Sequence, residues 1–289
     1  MACHRKEYAI KGVRNKLGTV VTALLIHSDI DEGSHALRAA FDEIDRINDL
    51  MSVRKETSEV ALMNRNGYCD HASSDTRYVI QKANYYSELS GGVFDITILP
   101  ILQLWEETTR RGRVPLKAEI DERLELVDYR NIVIDEEKIS FRKAGVGITL
   151  AGAAKGYAVD RAGALLRQNN IDHALVNAGG DIVAIGGKTD THPWKIAIRD
   201  PKEKTRFAGT VELRDQAIAT SGTYWRPFND IFDAKEGKPA RGVVSATVVA
   251  ERAIDADILA TSIFVLGAER GRELIGRLER VESLVVAGE

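Results

Sequence analysis

Apolar residues crowd "GTVVTALLIHS" from Gly18 without helical spacing, as expected of a strand buried in a sheet. The spacing then lengthens. Leu37, Ala40, Phe41, Ile44, Ile47 and Met51 recur at intervals of three and four and predict an amphipathic helix lying on a core. A second helix is predicted from about Asp75 to Ser90, with Val79, Ala83, Tyr86 and Leu89 inward, ending at Gly91-Gly92. "NIVID" and "KISFR" read as a hairpin, and a helix follows from about Lys155 to Asn169. The strands "HALVNAGG", "DIVAIGG", "WKIAIRDP", "FAGTVELRD", "QAIATSG" and "GVVSATVVA" come next. Long runs of strands between a few helices predict an α+β fold with a mostly antiparallel sheet, not a doubly wound parallel one. No Pro-, Gly- or Ser-rich linker and no short repeat divides residues 1–289, so a single domain of at most two lobes is expected.

Polar residues at apolar positions are the first candidates for chemistry. Lys155 shares its helix face with Ala158, Val159, Ala162 and Leu166, while Asp160, Arg161, Arg167 and Gln168 take the opposite face. The lysine therefore points inward or into a cleft. Its stem can cover apolar surface while the ammonium reaches water. Alternatively, Gly152 and Gly156 let a ligand approach a helix start, where an ammonium would suit an anion such as phosphate. A cofactor Schiff base on Lys155 is a third possibility.

The stretch "DADILATSIFVLG" at 255–267 is apolar almost all round, with Asp257 and Thr261 one turn apart on one side. In the plainer reading, Asp255 caps this helix, Asp257 complements its dipole and Thr261 bonds back to a carbonyl. In the other, carboxylate, hydroxyl and a main-chain carbonyl form an oxygen set for Mg2+. Asp95 in "GGVFDITILPI" and Thr220-Ser221-Gly222 in "AIATSGTYW" read on their own as loop and turn residues.

The remaining features narrow the functional class. A formal net charge of −3 lacks the basic excess of a nucleic-acid binder, and the basic run "TTRRGRVPLK" at 108–117 reads as a solvated loop. The N-terminus "MACHRKEYAIKG" lacks an apolar signal region and no membrane-spanning run occurs, so a cytoplasmic protein is expected. Cys3 and Cys69 form no CxxC, and the six histidines are scattered, which argues against a disulfide framework or a zinc site. "VNAGGDIVAIGG" continues as a strand where a dinucleotide fingerprint needs a helix, and no P-loop is present. Gly179-Gly180 remains a tight turn or a wall of a ligand cleft.

Taken in order, "LGTVV", "MSVRKETSEVALMN", "GGVFDIT", "AAKGYAVD", "VNAGGDI", "ATSG" and "DADILATSIFVLG" resemble the FAD:protein FMN transferase family, also called ApbE, from about Gly18 to Gly267. The resemblance implies a T-fold-like α+β fold and FAD as donor. It also implies Mg2+ beside the diphosphate and transfer of FMN to a threonine of a target protein, with AMP leaving. It places Leu17, Arg54, Val93, Phe94, Asp95, Thr149, Lys155 and Ile231 on FAD, and Gly152, Asp257 and Thr261 on the metal. Lys155 and Asp230 become the catalytic candidates. Four positions depart from the family pattern: Leu17 stands for Met, Arg54 for an aromatic, Thr149 for Asp, and Asp230 for the histidine of the segment read here as "DIFDAKEG". These departures leave a second expectation open, a non-catalytic or altered-specificity flavin- or nucleotide-binding protein.

Overall fold

A computed structural model describes residues 6–203, 205–223 and 230–288. Tyr224 and Trp225, at the end of "AIATSGTYW", and Cys3 lie outside them. The chain opens with β1 (Tyr8–Lys16), β2 (Thr19–His27), α1 (Ile30–Met51), α2 (Glu59–Asn66), β3 (Tyr68–Asp70), α3 (Ser74–Leu89), α4 (Leu99–Arg110) and α5 (Lys117–Leu124). Next are β4 (Ile132–Ile134), β5 (Lys138–Phe141), α6 (Ala154–Gln168), β6 (His173–Ala178), β7 (Asp181–Ile185), β8 (Trp194–Arg199), β9 (Phe207–Leu213) and β10 (Ala217–Gly222). The chain closes with β11 (Phe232–Asp233), β12 (Lys238–Pro239), β13 (Val243–Ala250), α7 (Ala253–Ile275) and β14 (Glu282–Ala287).

Seven strands form the main sheet in the order β1-β2-β6-β7-β10-β13-β14, and every neighbouring pair is antiparallel. The fold is α+β with antiparallel pairing, as the strand-rich pattern predicts. Strand alternation sorts the core. Val183, Ile185, Ala217 and Ala219 face the layer of α1, α6 and α7, while Ala184 and Ile218 join Trp194, Ile198 and Leu213 of the β8–β9 hairpin on the other face. All six apolar residues that define the predicted first helix are buried in α1. Full burial of side chains such as Ile44 and Ile47 contributes about 1.5–3 kcal/mol each. Asp29 starts that helix by accepting from the Asp31 and Glu32 N–H groups at 2.8 and 3.0 Å. Gly91 and Gly92, both at positive φ, end α3 by donating to the Glu88 and Ser87 carbonyls.

The structure adds elements that periodicity does not indicate. The edge strands β1, which carries Lys11, Arg14 and Lys16, and β14 are largely exposed, and α4 absorbs Thr108–Arg110 from the predicted basic loop. α4 and α5 form a small helical hairpin around Ile101, Leu104 and Ile120. The β11–β12 hairpin docks on it, with Trp105 Nε1 donating to the Gly237 carbonyl at 2.9 Å and its ring meeting Phe232 edge-on.

At one end of the main sheet, the start of β2, the end of β6, the start of β7 and the end of β10 lie together. The first turn of α6 and the first half of α7 approach this end. Gly156 permits that approach, because a Cβ there would sit 2.4 Å from the Ala253 carbonyl oxygen. α7 has no side-chain cap of its own. The Asp160 carboxylate on α6 instead accepts from Ala253 N at 2.8 Å and Ile254 N at 3.0 Å.

Candidate functional site

The ordered approach of α6 and α7 brings three charged groups together. Lys155 Nζ pairs with Asp181 at the start of β7 and reaches Asp257 Oδ2 at 3.3 Å and Oδ1 at 3.4 Å. Asp181 and Asp257 are 2% and 4% exposed, whereas the Lys155 side chain is 31% exposed, so the carboxylates are enclosed and the ammonium faces an opening. Burial works against the charged lysine, but the two carboxylates outweigh it and hold its pKa well above the ordinary lysine range. The ammonium is held by aspartates and does not merely escape to water.

Asp257 has a second anchor, the Gly156 N–H, which donates to Oδ2 at 3.1 Å. Thr261 Oγ1 lies 3.0 Å from Ser221 Oγ at the end of β10. The capping expectation for this helix is thereby corrected. Asp255 pairs with Lys82 at 2.9 Å, Asp160 supplies the cap, and Thr261 bonds to Ser221. On the face of α6 opposite Lys155, Arg161, Arg167 and Gln168 are exposed, while Asp160 turns to α7 and Arg161 also bonds Glu43 at 3.0 Å.

Lys155, Asp257 and Thr261 border a cleft of about 720 Å³, and the twelve residues that the resemblance places on FAD, on the metal or in catalysis all line it. Leu17, at positive φ in the β1–β2 turn, and the exposed Arg54 contribute one side. Val93 and Phe94 are buried in another wall, and Asp230 and Ile231 border it beside the β11–β12 hairpin. Asp95 is a buried neighbour whose carboxylate is engaged within the protein, accepting from Thr97 N, Thr97 Oγ1 and Tyr129 N at 2.7–2.8 Å. Burial pushes its pKa up against those hydrogen bonds.

Thr149 donates its N–H to the Ile96 carbonyl at 2.8 Å, tying the stretch before Lys155 to the Phe94 wall. Asn64 clamps the preceding residue, accepting from Ile148 N at 2.7 Å and donating to Ile148 O at 2.8 Å. Gly152 stands beside Thr261. A Cβ there would lie 3.8 Å from Thr261 Oγ1 and 3.1 Å from the Phe94 ring, so its missing side chain leaves space between them.

Gly179 both forms the turn and lines the cleft, where a Cβ would sit 2.5 Å from Thr19 Oγ1. Sequence reasoning missed Asp181 and read Ser221 as a turn residue. The signal for Asp181 lies in the alternation of β7, where an acid shares the inward face with Val183 and Ile185 and must therefore find a partner. Ser221 follows Ala217 and Ala219 on the inward face of β10. Among the described residues no group of three or more His, Cys, Asp or Glu could hold a metal. No helix among them is long and apolar enough to cross a membrane.

Comparison with known proteins gives one consistent result. A sequence model described as the ApbE family matches residues 17–285. The FAD:protein FMN transferase of Klebsiella pneumoniae is 30% identical over 260 residues, covering 85% of this chain and 80% of that protein. The FAD:protein FMN transferase of Vibrio cholerae is 30% identical over 269 residues, with 88% and 80% covered. The crystal structure of the ApbE protein of Thermotoga maritima superposes with a TM-score of 0.88 at 32% identity, over 97% of this chain and 94% of that one.

Proposed function

The chain belongs to the ApbE family, and on that premise we propose that it is an FAD:protein FMN transferase. It takes FMN from FAD to a threonine of an acceptor protein and releases AMP, with Mg2+ beside the diphosphate and residues 1–289 acting as one unit. The observation that carries this reading is the Lys155–Asp181–Asp257 cluster opening into the cleft with Thr261 and Gly152. Two carboxylates against one ammonium leave a net negative charge, which an anionic diphosphate would meet unfavourably unless a cation intervened.

The residues fit Mg2+. The Asp257 carboxylate, the Thr261 hydroxyl and the Gly152 carbonyl are hard oxygen donors, and the missing side chain of Gly152 leaves space between Thr261 and the Phe94 ring. Bound there, Mg2+ would neutralise charge on the diphosphate. Lys155 offers its ammonium to the same oxygens, and Val93 and Phe94 supply an apolar wall for the flavin part of the ligand. The acceptor threonine oxygen forms its bond to the FMN phosphorus as the bond to the AMP oxygen breaks. The threonine proton passes to a base, for which Asp230 is the candidate.

Incubation with FAD, Mg2+ and a flavin-free acceptor of one of the named transferases should yield fluorescence that survives denaturation of the acceptor, with one AMP per flavin attached. Asp257→Ala should reduce this at least ~100-fold. Transfer unaffected by that change would remove the proposed cation site. The substitutions at Arg54, Thr149 and Asp230 support a second reading, a flavin-binding protein without transfer. Stoichiometric FAD binding without AMP release would select it.

A further inference from the structure

The Lys155 ammonium touches the same carboxylate that a divalent cation would use, so the two positive groups meet at Asp257. A magnesium ion binds a carboxylate oxygen at about 2.0–2.1 Å. With the ammonium 3.3 Å from Asp257 Oδ2, the two cations would stand no farther apart than about 5.4 Å in a site walled by buried groups. We propose that Lys155 is a resident counter-ion that competes with the divalent cation for Asp257. Cation entry and the lysine contact exclude each other, and the ammonium displaced from Asp257 turns to the anionic ligand. This rests on the cation site of the proposed function and adds an exchange to it.

Three features of the cluster suit such an exchange. Two almost fully buried carboxylates need a positive partner when no cation is bound, and Lys155 supplies one from within the chain. Asp257 does not depend on the lysine for its place, because the Gly156 N–H holds Oδ2 at 3.1 Å and stays when the ammonium leaves. The lysine contacts are also unequal, with the close pair at Asp181 and the longer contacts, 3.3 and 3.4 Å, at Asp257. Nζ can therefore leave Asp257 while remaining near Asp181. Its four-carbon stem, a third open to the cleft, can make that move without disturbing α6.

The test is Mn2+ binding to the full chain in the absence of FAD, followed by electron paramagnetic resonance of the free ion. Four proteins are compared: wild type, Lys155→Met, Lys155→Gln and Arg54→Met. The glutamine variant keeps hydrogen-bonding capacity without charge and serves if the methionine variant does not fold. Arg54→Met removes one positive charge from another part of the same cleft. Both Lys155 variants should bind Mn2+ about tenfold more tightly than wild type, a coupling of ordinary size, and Arg54→Met should stay within about threefold. Unchanged or weaker binding in the Lys155 variants overturns the competition, as does equal tightening in Arg54→Met, which would reduce the effect to the general field of the cleft. No Mn2+ binding in any of the four removes the cation site itself, and the competition with it. Wild-type binding without tightening in the Lys155 variants removes the competition alone.

Discussion

An aspartate and a histidine at the same place in a cleft do different work when a proton must be removed. Asp230 is exposed, lines the cleft and stands where the ApbE pattern has histidine. A carboxylate is by type the weaker base at neutral pH, and an imidazole titrates near ~6.5. If Asp230 accepts the threonine proton, Asp230→Ala should slow FMN transfer by roughly 10–100-fold. Asp230→His should raise the rate above wild type at pH 7–8 and introduce an inflection near pH ~6.5. Rates of acceptor labelling between pH 5.5 and 9 measure both effects, and an alanine variant as fast as wild type would show that the proton goes elsewhere. Asp95 illustrates the opposite case at this scale. Its sequence motif places it on the ligand, yet its carboxylate is engaged with Thr97 and Tyr129. Asp95 still lines the cleft beside Val93 and Phe94.

At the scale of elements, the site depends on how α6 meets α7. Gly156 sets the distance and Asp160 the angle, since its two oxygens hold the first two N–H groups of the helix that carries Asp257 and Thr261. Burial raises the Asp160 pKa from 3.8 to about 6, against the hydrogen bonds from Ile254 and Ala253, with the Asp255 carboxylate adding to the rise and Arg252 opposing it. Because the folded pKa is the higher one, the folded protein holds the extra proton between these values. The contribution of Asp160 to stability is therefore fullest below pH ~4 and is lost as pH rises to about 6. Asp160→Asn keeps an acceptor oxygen and does not titrate. In urea unfolding its stability relative to wild type should improve by about 2 kcal/mol between pH 4 and 6, and a difference independent of pH would mean that burial does not raise the Asp160 pKa. Little of this junction was legible in the sequence. Periodicity places Asp160 opposite Lys155, and helical spacing alone treats that face as solvent. Spacing did expose Lys155, Asp257 and Thr261, because a polar residue inside an apolar stripe breaks the pattern. Asp181 and Ser221 escaped because they stand at strand ends beside glycines, where polar residues are expected for turn geometry.

Across the whole molecule, the cleft has two walls of separate origin. The side carrying Lys155 and Asp257 is built by α6, α7 and the ends of β7 and β10 within the main core. The side carrying Asp230 and Ile231 belongs to the segment that runs into the β11–β12 hairpin, which rests on α4 and α5. That second support was hidden in the sequence. Trp105 and Gly237 lie 132 positions apart, and a pattern read along the chain records only neighbours within a helical turn or a strand repeat. The hairpin is held by the Trp105 hydrogen bond, by its ring on Phe232, and by Gly237, where a Cβ would sit 2.8 Å from Ile120. Trp105→Ala removes the first two. It should cost about 3 kcal/mol of stability, the lower end of the range for a large aromatic because Trp105 is only partly buried. The functional consequence should be one-sided. FAD binding, followed by flavin fluorescence, should weaken about tenfold as the Asp230–Ile231 wall loosens, while Mn2+ binding without FAD should keep its wild-type affinity. A parallel loss of both would mean that the hairpin and the α6–α7 junction move as one body, and the division of the cleft into two independently supported walls would have to be abandoned.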